Sequence, residues 1–140
     1  MEDSLNLGRF VSAQEAVYPQ VLAELETGEK RSHWIWFIFP QLKGLGLSAQ
    51  SEYYGIGSLR EAAAYLQHPI LGPRLIECTG RVNAVEGRTI RQILGSPDDM
   101  KFRSSMTLFA RAAADPAVFN GALRKYFGGE PDPRTIELLS

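Results

Sequence analysis

Residues 32–42 read SHWIWFIFPQL and place six consecutive large apolar side chains between a histidine and a proline. The composition of this run favours a strand, but polar alternation is missing, and a run this short does not reveal its type by periodicity. A helix that is apolar on every side belongs at the centre of a helical bundle, and Pro40 would end it cleanly. We therefore predict a central buried aromatic helix here, with a strand as the open alternative.

The rest of the chain carries repeated signals for helix starts. Residues 12–15 (SAQE) and 58–61 (SLRE) match the capping box, in which a serine and a glutamate satisfy the first free amides of a helix. At 96–99 (SPDD), 115–116 (DP) and 132–133 (DP), a capping side chain precedes a proline that suits a first helical turn. These signals predict an all-α fold, a compact single-domain bundle of about six to eight helices.

Length and composition predict one soluble domain over residues 1–140. A chain with 44% hydrophobic and 22% charged residues is typical of a globular protein with a single core. The net charge of −1 leaves little positive charge to neutralise a phosphate backbone, so we expect no nucleic-acid partner. The apolar runs are too short to cross a bilayer, and the acidic N-terminus does not resemble a secretory signal. Because Cys78 is the only cysteine, the chain suits the cytoplasm.

Common cofactor and metal motifs are absent from the sequence. No glycine-rich phosphate motif occurs in a strand-to-helix context, and two histidines with one cysteine do not provide zinc-ligand spacing. We therefore predict no cofactor and no metal. His33 begins the aromatic run, where its imidazole could bind a ligand or transfer a proton. A structural histidine that satisfies a loop carbonyl is the alternative.

A second polar group interrupts the apolar face of the helix predicted at DDMKFRSSMTLF. Ser105 projects among the large apolar side chains there, while Lys101 and Asp98 follow one another at one-turn intervals before it. A serine near a lysine and a histidine can be an activated nucleophile, so His33, Lys101 and Ser105 are the candidate catalytic residues. The alternative is a buried serine that bonds the carbonyl one turn back.

Aromatic side chains could line a binding site. Tryptophan and tyrosine combine a large flat area with a polar tip, which suits stacking on a planar ligand, and core packing is the alternative. Residues 42–58 form the longest irregular stretch, with four glycines, and are either a pocket wall or a packed connector. The predicted ligand-binding residues are Trp34, Trp36, Gln41, Tyr53, Tyr54 and Ser104.

The chain closely resembles a family named domain of unknown function eighteen-ten. The resemblance runs from Arg9 to Leu139 and implies a compact all-helical domain with no settled activity. Some bacterial members carry the name calpastatin, but this chain has no evident calpain-binding repeat, and an unstructured inhibitor would not contain so apolar a core. The matching stretches are RFVSAQ, ELETGEKRSHWIWFIFPQLKGLGLSAQSEYYGI, EAAAYLQHPILGPRLIE, DDMKFRSSMTLF and FGGEPDPRTIELL.

A second similarity, over Asp98 to Leu139, is to all-helical enzymes that hydrolyse intermediates of riboflavin synthesis or remove ADP-ribose. It implies a nucleotide-like, N-glycosidic ligand. Two hypotheses follow. In the first, an aromatic-lined pocket binds a small polar or nucleotide-like molecule, with hydrolysis as an added activity. In the second, the protein is a non-enzymatic interaction module that presents the surface of residues 42–58 to an unknown protein partner.

Overall fold

The computed structural model describes residues 5–139, and within them ten α-helices surround one hydrophobic core. The predicted all-helical fold is confirmed. The helices outnumber the expected six to eight because three of them are single turns of four or five residues, too short for a periodic pattern. Their bounds are α1 (Gly8–Glu15), α2 (Tyr18–Thr27), α3 (Ile35–Ile38), α4 (Ala49–Tyr53), α5 (Leu59–Gln67), α6 (Leu71–Ala84), α7 (Ile90–Leu94), α8 (Asp98–Ala112), α9 (Ala117–Phe127) and α10 (Pro133–Leu139).

The aromatic run forms α3, which is a helix as predicted but only one turn long. Trp34 and Phe39 lie just outside its two ends, and both are fully buried. The Phe39 ring packs edge-on against Phe102 of α8, with 4.9 Å between the ring centroids. Pro40 follows and is also buried. A proline disfavours the helical conformation of the residue before it, which explains why the helix ends at Ile38. Trp36, inside the turn, is half-buried and packs against the core.

The longest helix, α8, is the one against which most others pack. Helices α3, α5, α7, α9 and α10 all contact it. Phe109 of α8 touches the rings of Tyr65 on α5 and Phe119 on α9, so one side chain joins three helices. At 15 residues, α8 is too short to cross a membrane, and no other helix within residues 5–139 is long and apolar enough to do so.

The predicted helix caps are present in part. Ser58 Oγ accepts the backbone N–H of Glu61 at the start of α5, as the capping box predicts. The prediction at 12–15 is wrong, because α1 already begins at Gly8 and the serine lies inside the helix. A complete capping box at Thr89, which the sequence reading missed, begins α7.

Residues 42–58 are irregular only in part. Ser48 caps the short helix α4 by accepting the backbone N–H of Ser51. An isolated parallel bridge pairs Leu42 with Ile56, and the Lys43 N–H donates to the Ile56 carbonyl at 2.8 Å. The two ends of the segment are therefore joined, and the glycine-rich part forms a closed surface loop.

Candidate functional site

Trp36 of α3 and Lys101 of α8 meet where these two helices pack together. Lys101 Nζ lies 5.2 Å from the centre of the Trp36 ring, which is a cation–π contact. Lys101 also lies 3.7 Å from the carboxylate of Asp98, one turn earlier on α8. The aromatic run and the serine-containing helix are thus in contact, as the ligand-pocket hypothesis requires. We call the group formed by Trp36, Lys101, Asp98 and Lys30 the α3–α8 junction.

Lys30 adds a second ammonium group to the junction. Its Nζ lies 2.8 Å from Asp98 and 5.0 Å from the centre of the Trp34 ring, and only 6% of its side chain is exposed. Asp98 therefore lies between two lysines, each of which also covers an indole. Because the Lys30 ion pair is the shorter and more buried one, Lys30 is the closer partner of Asp98. The ion pair between Lys101 and Asp98 is the longer and weaker of the two.

Two buried donors at or beside the junction have no acceptor within residues 5–139. They are Trp36 Nε1 and Ser105 Oγ. Ser105 is completely buried and lies one turn beyond Lys101 on α8. A buried polar group without a partner costs about 1–3 kcal/mol, so native proteins pair nearly all of them. Two further unpaired atoms, on Thr79 and Asn83, lie on α6.

The carboxylate of Glu24 on α2 fixes the backbone of residues 29–34. Its Oε1 accepts the backbone N–H groups of Arg31 at 2.7 Å and Ser32 at 3.1 Å. The same oxygen accepts the indole N–H of Trp34 at 2.9 Å, and the Ser32 hydroxyl donates to Oε2. Burial opposes ionisation of Glu24, but these hydrogen bonds outweigh it and lower its pKa to about 2.

An acid on an apolar helix face is the signal that could have revealed this clamp. Glu24 lies between Val21 and Leu25 on the same face of α2, and all three side chains are buried. A buried carboxylate must be satisfied by donors from a neighbouring segment. The sequence alone does not show which segment supplies them, because the path of residues 28–34 is irregular.

The two residues at the start of the aromatic run lie in different surroundings. His33 is exposed, and its neighbours along the chain, Ser32 and Trp34, are both bonded to Glu24. Its predicted role as an acid or base stays a prediction. Trp34 is 1% exposed and its N–H is already paired, so its surroundings are those of a core residue. Its contact with a ligand also stays a prediction.

The predicted ligand residues Ser104 and Gln41 are buried and serve internal contacts. The Ser104 hydroxyl lies 3.1 Å from the Met100 carbonyl and 3.0 Å from Asp132 Oδ2. Asp132 precedes α10, so this contact ties the start of α10 to α8. The backbone carbonyl of Gln41 accepts the Ile56 N–H at 2.9 Å, within the bridge that closes residues 42–58, and ligand contact by the Gln41 side chain stays a prediction. Nothing in these contacts engages the α3–α8 junction.

The two tyrosines lie on the 42–58 segment. The half-buried Tyr54 packs against Phe10 and Phe37, with 5.8 and 5.5 Å between ring centroids. Tyr53 is 56% exposed, and its ring meets that of Tyr54 edge-on at 4.8 Å. Tyr53 lines a depression of about 430 Å³ that includes Lys43 and no residue of the junction. This depression therefore does not unite Tyr53 with Trp36 or Lys101.

Arg9 forms part of that depression, but its guanidinium is fully used inside the protein. An arginine has five N–H donors, and each of those on Arg9 has an acceptor in the chain. No donor remains for a ligand, so Arg9 acts as a structural clamp for the end of the 42–58 segment. The acceptors are the carbonyls of Leu5, Asn6, Tyr53 and Gly55 and the carboxylate of Glu61.

Neither metal nor thiolate chemistry finds support in the part of the chain that the structure describes. No three His, Cys, Asp or Glu side chains are grouped there so that they could hold a metal ion. Cys78 is fully buried, and burial raises the pKa of its thiol to about 12. A thiol with such a pKa is protonated at neutral pH and is a poor nucleophile.

The chain belongs to the family described as "Protein of unknown function (DUF1810)", whose model matches residues 4–139. This match confirms the resemblance found in the sequence. The chain is also similar to the conserved hypothetical protein Rv1873 from Mycobacterium tuberculosis, known from a crystal structure. The two are 58% identical, with a TM-score of 0.97 over 98% of each chain. A comparison with curated proteins found no match.

Proposed function

We propose that this member of the DUF1810 family binds a small polar, nucleotide-like ligand at the α3–α8 junction. The observation that carries the proposal is the buried Trp36 indole N–H, which has no acceptor among residues 5–139 and belongs to a ring that Lys101 contacts. An indole offers a planar apolar surface together with one donor, and both features suit a flat heterocycle. An adjacent ammonium group adds the polar contact that orients a ligand in such sites.

The other residues of the junction have supporting roles in this proposal. Asp98 and Lys30 hold each other in place and keep Lys101 over the Trp36 ring. Glu24 fixes the segment that carries Lys30. Ser105, whose hydroxyl also lacks a partner in the described part of the chain, is fully buried in α8 and would complete the polar floor of the site.

Hydrolysis of an N-glycosidic bond in an ADP-ribose-like ligand stays a prediction. The ligand class comes from the similarity to riboflavin-pathway and ADP-ribose-removing enzymes. The candidate catalytic residues His33, Lys101 and Ser105 come from the sequence pattern alone. His33 is exposed and Ser105 is fully buried, so a ligand would have to reach from the surface into the helix packing to contact both. Hydrolysis of the ligand can be measured once a compound that binds has been found.

Thermal unfolding in the presence of candidate ligands tests the binding proposal. Adenosine, AMP, ADP-ribose and riboflavin 5′-phosphate form the first panel. A ligand at about 100 times its Kd stabilises the folded state by about 2.7 kcal/mol, which raises Tm by several degrees in a domain of this size. We expect the shift to shrink in Trp36→Phe, which keeps an aromatic ring but loses the N–H.

Tyr53→Phe is the matched control, because it removes the polar atom of an exposed aromatic outside the junction. This variant should keep the full shift. Loss of the shift in Tyr53→Phe but not in Trp36→Phe would move the site to the depression on the 42–58 segment. Absence of a shift with every compound would refute the small-ligand proposal.

A second candidate function, a protein-interaction module, has its own observation. Leu47, at the tip of the 42–58 loop, is completely exposed, and Leu59 next to this segment is 37% exposed. A depression of about 370 Å³ between this segment and α10 is lined by Leu42, Leu59 and Leu138. Leu59 and Leu138 are exposed at this depression, and exposed apolar side chains around a depression are typical of a surface that a protein partner covers. A negative result from the ligand panel would favour this function.

A further inference from the structure

We infer that the ligand of the α3–α8 junction carries an anionic oxygen group, and that Lys101 and the Trp36 N–H receive it. The inference rests on the proposed function, which places a ligand at this site, and it adds the chemical class of that ligand. Phosphate and carboxylate groups share the required chemistry, because both present several negatively charged acceptor atoms.

The first argument is the balance of charge in the junction. Two lysines, Lys30 and Lys101, contact the single carboxylate of Asp98. Lys30 lies 2.8 Å from it with 6% of its side chain exposed, whereas Lys101 lies 3.7 Å from it with 22% exposed. The closer and drier pair is therefore Lys30 with Asp98. Of the two lysines, Lys101 is the one whose charge is less compensated and whose side chain is more exposed.

The second argument is the set of free donors. An ammonium group has three N–H donors and no acceptor, and an indole has one donor and no acceptor. Asp98 can accept only part of what Lys101 offers, and the Trp36 N–H has no acceptor within residues 5–139. Lys101 Nζ lies over the same indole ring that carries this N–H. The Asp98 carboxylate is already engaged by Lys30, so the groups left for a ligand are two donors, one of them charged, and such a pair matches an oxyanion better than a neutral or cationic group.

The test compares two pairs of ligands that differ in charge on one scaffold, namely AMP with adenosine and nicotinate with nicotinamide. The first pair probes a phosphate group and the second a carboxylate. Titration calorimetry of the wild-type protein should show the charged member of at least one pair binding about 10- to 100-fold more tightly. This range is that of one charge-assisted hydrogen bond to a partly exposed group. Which pair shows the difference identifies the kind of anion.

Lys101→Gln should reduce that preference to about threefold or less. Lys43→Gln is the matched control, because Lys43 also lies near a carboxylate, at 3.6 Å from Glu52, but outside the junction. This variant should keep the preference. If Lys101→Gln does not fold, a salt titration of the wild-type protein replaces it, since added salt should weaken the charged member and spare the neutral one.

The outcomes separate the two proposals. Binding in which the charged and neutral members of both pairs have equal affinity would overturn the inference and leave the proposed function standing. A preference that persists in Lys101→Gln would also overturn it, and loss of the preference in Lys43→Gln would move the anion site to the 42–58 segment. If no member of either pair binds and the wider panel gives no thermal shift, the proposed function is wrong together with the inference.

Discussion

Replacing Glu24 by glutamine removes one charge from the clamp on residues 29–34 and keeps the shape of the side chain. In the wild-type protein, three N–H donors converge on Oε1 of this carboxylate. A glutamine oxygen in the same position still accepts them, but as a neutral group. The opposite terminal atom changes from an acceptor to a donor, and there it faces the Gln20 amide and the Ser32 hydroxyl.

Two features of the structure give the expected magnitude. The pKa of Glu24 is about 2 in the folded protein, compared with an ordinary value of 4.5, and this difference corresponds to about 3 kcal/mol of stability at neutral pH. The same contacts can be counted as hydrogen bonds, since each of the three bonds to Oε1 should lose about 1 kcal/mol when its acceptor becomes neutral. We therefore expect Glu24→Gln to lower the free energy of unfolding by about 3 kcal/mol at pH 7.

The sign of the pH dependence follows from the lowered pKa. Because the folded-state value lies below the unfolded one, this stabilisation is complete well above pH 4.5 and is lost as the pH falls towards 2. Urea unfolding of the wild-type protein and of Glu24→Gln at pH 7 and pH 3 measures this stabilisation. The difference in unfolding free energy between the two proteins should be about 2 kcal/mol smaller at pH 3 than at pH 7. The exposed Glu26, on the same helix, provides the control variant Glu26→Gln, which should change stability by less than about 0.5 kcal/mol. A difference of equal size at both pH values would refute the reasoning.

Two further variants test other buried polar groups. Arg9→Lys should lower the free energy of unfolding by about 2–4 kcal/mol in urea, because three ammonium donors cannot serve five acceptors. The control Arg60→Lys, on the exposed face of α5, should have little effect. Ser105→Ala should leave the unfolding midpoint unchanged or raise stability by up to about 1 kcal/mol, since it removes a buried hydroxyl that finds no partner among the described residues. A loss above about 2 kcal/mol would show that this hydroxyl is bonded in the folded protein.

Features that depend on neighbours in sequence could be predicted, and features that depend on distant segments could not. The cap at Ser58 and the helix at 35–38 follow from residues within a few positions of each other. The sequence reading also placed Lys101 on a polar stripe beside the apolar face of α8. In contrast, the acceptors that Arg9 finds at Tyr53 and Gly55 lie more than 40 positions away along the chain. No periodic pattern encodes such contacts, because they depend on the path of the irregular segments.

The junction is a better candidate for a ligand site than the clamps formed by Arg9 and Glu24. Two charged groups elsewhere, Arg9 and Glu24, are saturated by the chain itself: Arg9 uses all five donors, and Glu24 accepts bonds on both oxygens. Such groups stabilise segments and have nothing left for a ligand. At the junction, the Trp36 N–H has no acceptor in the described chain, and Lys101 has only a distant share of Asp98. An acceptor from outside the chain would supply what the fold itself leaves out, which is why we expect a ligand there.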